Sequence, residues 1–227
     1  MMQSILDKIS PRERFDLIIA WIVISIAFTI MFKNNFLVDG KIVIGMLGII
    51  FLVSLLTAGI AFVFHELAHK FSAMKFGYYA EFRKDTYMLL MSVVLAALVG
   101  VVFAAPGATI IYAHQGLNKR ENGIISASGP ATNLLLCIPF FVLLVAGTAM
   151  GVSGISGLFL IMAGSMGLSI NAMIAFFNLL PISILDGKKV FEWNPAIFVL
   201  MIVTSFVLIL FSMDYYGMMT AVMNIIL

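Results

Sequence analysis

The sequence IVIGMLGIIFLVSLLTAGIAFVFHELAH, residues 42–69, decides how the rest of the chain is organised. No charged residue occurs between Lys41 and His65, and a glutamate and two histidines then follow within five positions. The segment is long enough to cross a bilayer, because a transmembrane helix needs about 20 apolar residues. Ionisable groups in such a segment are costly and need a reason to be there. We therefore predict a transmembrane helix that ends in a functional site.

The last five residues of this segment, His65-Glu66-Leu67-Ala68-His69, form an HExxH motif. Positions i and i+4 of a helix lie on one face, about 6 Å apart along the axis, so both imidazoles can bind one metal ion. The glutamate can then act as a general base on a metal-bound water. The alternative is a set of interfacial polar residues that cap a membrane helix. Two of the three histidines of the chain lie in this motif, which favours the metal site.

The composition identifies the class of protein. Of 227 residues, 63% are hydrophobic and 11% are charged, and the mean hydropathy is +1.13. Soluble domains carry about a quarter charged residues, so we predict an integral membrane protein. The net charge of +2 gives no indication of nucleic-acid binding. The single cysteine, Cys137, lies in an apolar run and has no partner for an intrachain disulfide. The first apolar run is long enough to remain as an anchor, and no cleavable signal peptide is expected.

Hydropathy divides the chain into about five full transmembrane helices. The predicted spans are residues 15–32, 42–69, 124–149, 158–180 and 195–211. Residues 87–114 are apolar as well, but Pro106-Gly107 interrupts them and a β-rich run follows at 108–112. A second short strand is predicted within 77–83. The predicted fold class is therefore an all-α polytopic membrane protein with a re-entrant, partly β hairpin insert at 87–114. We expect a single integral membrane domain over 1–227, and the tail from 212 to 227 is left unassigned.

Two of the spans carry local signals. Ser128-Gly129-Pro130 near the start of span 124–149 predicts a proline in the first helical turn, where its missing N–H is tolerated. Small residues in span 158–180 predict a face that packs closely against another helix; they are Gly164, Ser165, Gly167 and Ser169.

A catalytic zinc ion needs a third protein ligand besides the two histidines. The candidates are His114, Glu121, Cys137, Asp186, Glu192 and Asp214. Asp186 is favoured, because Pro181 ends the preceding helix and Gly187 permits a sharp bend that turns the carboxylate toward the histidines. The alternative for Asp186-Gly187 is an ordinary turn at the membrane surface.

Three motifs on separate spans together resemble the site-2 proteases, which are zinc metalloproteases that cut peptide bonds inside the bilayer. The motifs are HELAH at 65–69, Ser-Gly-Pro-x-x-Asn at 128–133, and Asn-x-x-Pro followed by Leu-Asp-Gly at 178–187. The resemblance covers roughly residues 42–76 and 124–190, and it places the metalloprotease core at about 42–190. It implies Zn²⁺ held by His65, His69 and Asp186, with Glu66 as the general base. It also suggests that Asn178 and Asn133 contact the substrate backbone, with helix–helix hydrogen bonds as the alternative for both asparagines.

The chain departs from that family in two places. The insert at 87–114 is longer than the short, strand-rich connection of compact family members, which leaves the entry route of the substrate open. No PDZ-like or other soluble accessory domain is visible in the sequence, so the recognition of substrates is open too. Neither departure touches the predicted metal ligands.

The order of the spans predicts the topology. Residues 124–149 and 158–180 make two crossings, so Asp186 lies on the same side as residue 124. For Asp186 to reach His65 and His69, the insert must cross the membrane an even number of times. With the N-terminus inside, this arrangement puts eleven of thirteen Lys and Arg in the cytoplasm and leaves Lys33 and Lys41 outside. The positive-inside rule favours it. We therefore expect the N-terminus and the opening of the active site on the cytoplasmic side.

The predicted partners are a transmembrane protein substrate and the lipid bilayer. The substrate helix has to unwind locally before its carbonyl is accessible, and residues 108–112 offer a strand edge that can hold an extended chain. The first alternative is a membrane metal-binding or transport protein that uses the HExxH site for metal transit. That alternative expects more His, Asp or Glu within the spans. The second is another membrane metalloprotease for prenylated or soluble substrates, but such enzymes usually take a glutamate as the third ligand.

Overall fold

The computed structural model describes residues 8–32, 37–38, 41–42, 44–102, 107–113, 116–151, 154–182 and 184–213. The helices are α1 (Pro11–Phe32), α2 (Ile44–Ser54), α3 (Ile60–Lys75), α4 (Thr86–Leu98), α5 (Lys119–Met150), α6 (Ile155–Asn178), α7 (Asp186–Trp193) and α8 (Pro195–Met213). The strands are β1 (Leu37–Val38), β2 (Lys41–Ile42), β3 (Tyr79–Lys84) and β4 (Gly107–Tyr112). The fold is all-α and polytopic, as predicted.

Within the described residues, five helical segments are long and apolar enough to cross a membrane: α1, the combined segment from Gly45 to Lys75, α5, α6 and α8. They coincide with the five predicted spans, and each helix begins or ends within a few residues of its prediction. The hydrophobic core lies between α1, α2, α3 and α6, with Ile24, Phe62 and Ile170 among its fully buried side chains. The predicted close-packing face of α6 is confirmed at Gly164, where a Cβ would approach the Leu144 backbone to 2.4 Å.

The segment that carries the HExxH motif is not a uniform α-helix. A π-helical turn over Leu55–Gly59 separates α2 from α3. Trp21 of α1 lies against it, and its indole Nε1 donates a hydrogen bond of 2.8 Å to Leu55 O. A Cβ at Gly59 would lie 1.7 Å from the Trp21 ring, so only glycine leaves room for the indole there. Such turns add one residue to an α-helix and are frequent near functional sites.

The insert turns back on itself. Helix α4 packs along α1 and has 13 residues, about 20 Å, which is shorter than the hydrocarbon core of about 30 Å. The chain then returns, and β4 pairs antiparallel with β3 from Tyr79↔Tyr112 to Lys84↔Gly107. Both predicted strands are therefore present. The return of the chain to the level of β3 agrees with an insert that crosses the membrane an even number of times, and Pro106 lies outside the described residues.

Helix α5 starts earlier than the sequence analysis predicted. Its N-cap is Asn118, whose side chain accepts a hydrogen bond from Glu121 N while the Glu121 side chain reaches back to Asn118 N. This reciprocal capping box begins the helix eleven residues before Pro130. The prediction that Pro130 lies in a first helical turn is wrong, because the proline lies inside the helix.

A buried ion pair joins the start of α1 to the end of the metal-motif helix. The Nζ of Lys70 lies 2.5 Å from Glu13 Oε2, and both side chains are almost fully buried. Glu13 Oε1 also accepts a hydrogen bond of 3.0 Å from Phe82 N. One carboxylate therefore connects α1, α3 and β3.

Candidate metal centre

Helix α3 places the two motif histidines on one face, as predicted from their spacing. Both are buried, and their Nε2 atoms lie 3.1 Å apart. The ring planes are nearly perpendicular, at 79°. The two Nε2 atoms therefore converge on one point in front of the helix.

Asp186 is the third potential ligand beside the two histidines, although it is distant from them in the sequence. It is the first residue of α7, where a negative charge is favourable to the helix dipole. Its Oδ2 lies 3.6 Å from His65 Nε2 and 3.1 Å from His69 Nε2. The three residues are the one group of three potential metal-ligating side chains within the described parts of the chain. A transport pathway would be expected to hold further groups of this kind.

Gly187 does not bend the chain as predicted from the Asp-Gly pair. It lies within α7, and a Cβ there would come 2.0 Å from Leu179 O. The glycine is needed for close packing, because it lets the first turn of α7 pack on the end of α6. This contact brings Asp186 to the histidines.

The other nitrogens of both imidazoles are held by hydrogen bonds. His69 Nδ1 donates to Ile125 O at 2.8 Å, and a carbonyl can only accept. His65 Nδ1 lies 2.5 Å from Asn133 Oδ1. With Nδ1 protonated on each ring, the Nε2 lone pairs are left for a metal ion.

Asn133 is fully buried, and its hydrogen bonds are made within the protein. Its Nδ2 donates to Ala61 O at 3.1 Å and to Asn171 Oδ1 at 3.0 Å, which leaves Oδ1 to accept from His65. The geometry favours the helix–helix alternative over substrate contact. It adds a role that the sequence analysis missed, because Asn133 orients His65.

Asn171 of α6 was also missed. It is fully buried, and its own Nδ2 donates to Gly167 O at 2.8 Å. This bond fixes which end of the Asn171 side chain faces Asn133. An asparagine in the middle of an apolar span was the signal that could have identified it.

Comparison with curated proteins identifies a relative of this chain. A protein of Methanocaldococcus jannaschii, named "Putative zinc metalloprotease", is 37% identical to this chain over 190 residues. The match covers 84% of this chain and 88% of the relative. The chain belongs to this zinc metalloprotease family. No protein-family model matches the sequence, and no solved structure matches it.

The donor set of the metalloprotease fits zinc. Two imidazole nitrogens and one carboxylate oxygen are typical zinc ligands, and a catalytic site keeps a fourth position open. Zinc–ligand bonds of about 2.1 Å in a tetrahedron place the ligand atoms about 3.4 Å apart. The three distances here, from 3.1 to 3.6 Å, bracket that value. His65, His69 and Asp186 are therefore the residues that would hold the ion.

The space for an ion is kept open by Gly129 of α5. A Cβ at this position would lie 2.4 Å from His69 Nε2 and 2.6 Å from His65 Nε2. This glycine belongs to the Ser-Gly-Pro sequence at 128–130, but its role is visible only when α5 packs on α3.

Gly129→Ala should lower the zinc affinity of the metalloprotease by about 100-fold or more, because the added methyl would push on both ligand nitrogens, and even changes to groups behind the ligands typically cost 10- to 100-fold in metal affinity. The measurement is bound zinc per chain under competition with a chelator. The matched control is Gly48→Ala, since a Cβ at Gly48 contacts nothing within 4 Å. Equal zinc affinity in the two variants would contradict the predicted position of the ion.

The electrostatics of Asp186 suit a metal ligand. Burial acts to raise the pKa of this carboxyl, but when no metal is bound a protonated His69 and hydrogen bonds from the histidines lower it, and the resulting pKa lies far below its usual range. A bound metal ion would supply that positive charge in place of the proton. Lys189, one turn along α7, adds a further positive charge 3.7 Å from Oδ1. The carboxylate therefore stays ionised at any physiological pH.

Glu66, the predicted general base of the metalloprotease, is buried and faces β4. The Thr109 hydroxyl lies 2.9 Å from Glu66 Oε2 and 3.0 Å from Glu66 O. Thr109 was not identified from the sequence, since no local pattern relates residue 109 to residue 66. The contact depends on the pairing of β4 with β3.

These groups border a cavity of about 150 Å³, which we call the catalytic cavity. Its walls include Glu66, Thr109, Asn178 and Lys189 together with the three predicted ligands. Asn178 donates from Nδ2 to Ile174 O at 2.9 Å. Its place in the wall is compatible with the predicted contact to substrate, which stays a prediction.

The other candidates for the third ligand lie elsewhere or outside the described residues. Glu121 binds the Tyr78 hydroxyl at 2.7 Å, Cys137 is buried against α6, and Glu192 is exposed on α7. His114 and Asp214 fall outside the described residues.

Proposed function

We propose that this metalloprotease is an intramembrane zinc endopeptidase of the site-2 protease type, which hydrolyses peptide bonds within or near transmembrane segments of membrane proteins. The observation that carries the proposal is the position of the metal centre. His65, Glu66 and His69 lie on a helical segment long and apolar enough to span a bilayer, and Asp186 lies eight positions after the end of another, α6. A site on such helices suits a substrate that reaches it from the bilayer.

The side chains define a mechanism for hydrolysis. Zinc, when bound, supplies a Lewis acid for the scissile carbonyl and makes water a better nucleophile. Glu66 accepts a proton from the attacking water and then donates it to the leaving amine. Asn133 and Ile125 O hold the imidazoles in place through both steps. Each half of the cleaved peptide leaves with one new terminus, a carboxylate or an amine.

An extended substrate can bind at the edge of β4. The β3–β4 sheet has two strands, so one edge of β4 has no strand partner within the described residues. Ala108, Thr109 and Ile111 of β4 border the catalytic cavity. Main-chain hydrogen bonds to this edge would hold an unwound segment without regard to its sequence.

Thr109→Val should lower kcat for peptide cleavage by about tenfold and leave bound zinc unchanged. A hydrogen bond to a charged group contributes roughly 1.5–3 kcal/mol, and valine keeps the shape of threonine without the hydroxyl. Thr109 acts as a positioning residue for Glu66, so Thr109→Ser should restore most of kcat. A valine variant with normal kcat would show that the hydroxyl does not orient the base.

We propose that the active site opens to the cytoplasm. The Glu13–Lys70 pair and the Tyr78–Glu121 hydrogen bond bring the start of α1, the end of α3 and the start of α5 to one end of the bundle. Basic residues on these elements and on α7 share that end, which suits the cytoplasmic side.

Single cysteines at positions 84, 119 and 188, introduced with Cys137→Ala, should react with an impermeant thiol reagent only when the cytoplasmic face is exposed. A cysteine at position 33 should show the opposite pattern. Labelling of position 119 from the face opposite to position 84 would contradict an even number of crossings by the insert.

The proposed function is tested by cleavage of a model transmembrane substrate by the zinc-loaded protein in lipid vesicles. A chelator should stop cleavage, and added zinc should restore it. A soluble peptide with the same cleavage sequence is the matched substrate. If only the soluble peptide is cleaved, the intramembrane assignment is contradicted, but the assignment as a metalloprotease stands.

A further inference from the structure

A second cavity, of about 170 Å³, lies beside the catalytic cavity and is almost entirely apolar. We call it the apolar pocket. Its walls include Phe28 of α1, Val101 and Val102 after α4, and Met173 and Phe177 of α6. None of the described residues that line it is charged. Neither the metal nor the general base uses this cavity.

The apolar pocket adjoins the catalytic cavity. Asn178, Ile184 and Leu185 line both cavities, and Leu185 directly precedes Asp186. Along α6 the pocket extends from Asn178 to Met173, five residues or about 7.5 Å toward the middle of the helix. An extended peptide advances about 3.3 Å per residue. The length of the pocket therefore corresponds to about two residues of an extended substrate, counted from the residues that also line the catalytic cavity.

The size and chemistry of the apolar pocket define its occupant. A cavity of about 150 Å³ in another protein, lined by apolar side chains, binds benzene. The apolar pocket is of that size and is therefore large enough for a phenyl ring or a leucine side chain. A charged or polar group would lose its hydration there without finding partners. The mouth is formed by exposed apolar side chains, Ile184 at 75% and Ile182 at 52% exposure, which a bound peptide would cover.

We propose that the apolar pocket binds one large apolar side chain of the substrate, leucine or phenylalanine in size. That residue lies within one or two positions of the scissile bond, on the part of the substrate that remains in the bilayer. This inference rests on the proposed intramembrane protease function and adds a specificity site to it.

The first test varies the substrate and the pocket together. Positions on both sides of the scissile bond of a model transmembrane substrate are changed one at a time to Ala, Leu or Phe. At one position on the bilayer side, kcat/KM for Phe or Leu should exceed that for Ala by about 10- to 100-fold, since a side chain of this kind in an apolar pocket discriminates on that scale. No other position should show such a preference.

Val101→Phe fills the apolar pocket and should remove this preference, with cleavage of the Ala substrate retained and cleavage of the Phe substrate reduced about tenfold or more. Val203→Phe is the matched control, because Val203 is similarly exposed, at 52% against 47%, and lies on α8 away from the pocket. The same preference in both variants would overturn the proposal. If Val101→Phe does not fold, Phe177→Ala is used to enlarge the pocket instead. This variant should cleave a substrate with Trp at the preferred position faster than the wild type does.

A second readout does not depend on turnover. In a Glu66→Gln, Cys137→Ala background, and with a mild added oxidant that takes up the two electrons, Ile182→Cys should form a disulfide with a substrate that carries one cysteine at the preferred position. Leu200→Cys on α8 is the control and should not react. If the substrate is trapped at position 182 but the wild type does not cleave it, the proposed function is contradicted and the proposal for the apolar pocket stands. If the wild type cleaves the substrate but position 182 does not trap it, only the proposal for the pocket is overturned.

Discussion

Replacement of Glu66 by glutamine should abolish peptide cleavage, with a loss of at least about 10³-fold in kcat, while the protein retains close to one zinc per chain. General acid–base catalysis contributes about 10²- to 10⁴-fold, and one carboxylate serves both proton transfers here. Glutamine has the shape of glutamate and can keep a hydrogen bond to Thr109, so the fold and the metal centre should survive. The measurement pairs metal analysis with cleavage of a transmembrane substrate.

The control for this substitution is Glu192→Gln, which removes an exposed carboxylate on α7. It should bind zinc and cleave as the wild type does. Cleavage by Glu66→Gln at the wild-type rate would exclude Glu66 as the base. Loss of zinc in the same variant would instead mean that Glu66 helps to hold the ion.

Asp186→Ala should lose both zinc and activity. It removes one of three ligands and leaves two buried imidazoles without their anionic partner, whereas changes to groups behind the ligands typically cost 10- to 100-fold in metal affinity. We expect a loss of affinity greater than that range. Metal competition measures the zinc affinity of Asp186→Ala, and a cleavage assay measures its activity.

His114→Ala is the informative comparison for Asp186, because imidazole is a common zinc ligand and the residue follows β4. It should retain zinc and activity. Zinc kept in Asp186→Ala and lost in His114→Ala would move the third ligand to the insert. A loss in both variants would indicate a fourth protein ligand and a closed site, which is typical of structural zinc and not of catalysis.

The membrane spans and the two histidines could be predicted from the sequence because both depend on local patterns. Uninterrupted apolar runs give the spans, and the i, i+4 spacing of His65 and His69 gives the shared face. That Asp186 lies near these histidines was predicted from the order of three motifs along the chain. Its physical cause, the packing of Gly187 on Leu179 O, has no local signature.

The contacts that complete the site could not be predicted, because each joins positions far apart in the chain. Asn133 meets His65, and Thr109 meets Glu66, only after α5 and β4 have packed against α3. Pro130 is a different case. The early start of α5 was encoded by Asn118 and Glu121, whose three-residue spacing is that of a capping box, but the proline gave a competing signal for a helix start.

The Glu13–Lys70 pair has a consequence for the order of events during synthesis. Its partners are separated by 57 positions, which at roughly 5–20 residues per second corresponds to a delay of about 3–11 s. Until Lys70 emerges from the ribosome, Glu13 has no cation to accompany it into the protein, and burying an unpaired charge is very unfavourable. We therefore expect α1 not to pack fully, and its acidic end to stay hydrated, until α3 has been synthesised. Because Lys70 adjoins His69, the final docking of the first helix and the seating of the metal ligands would be a single step.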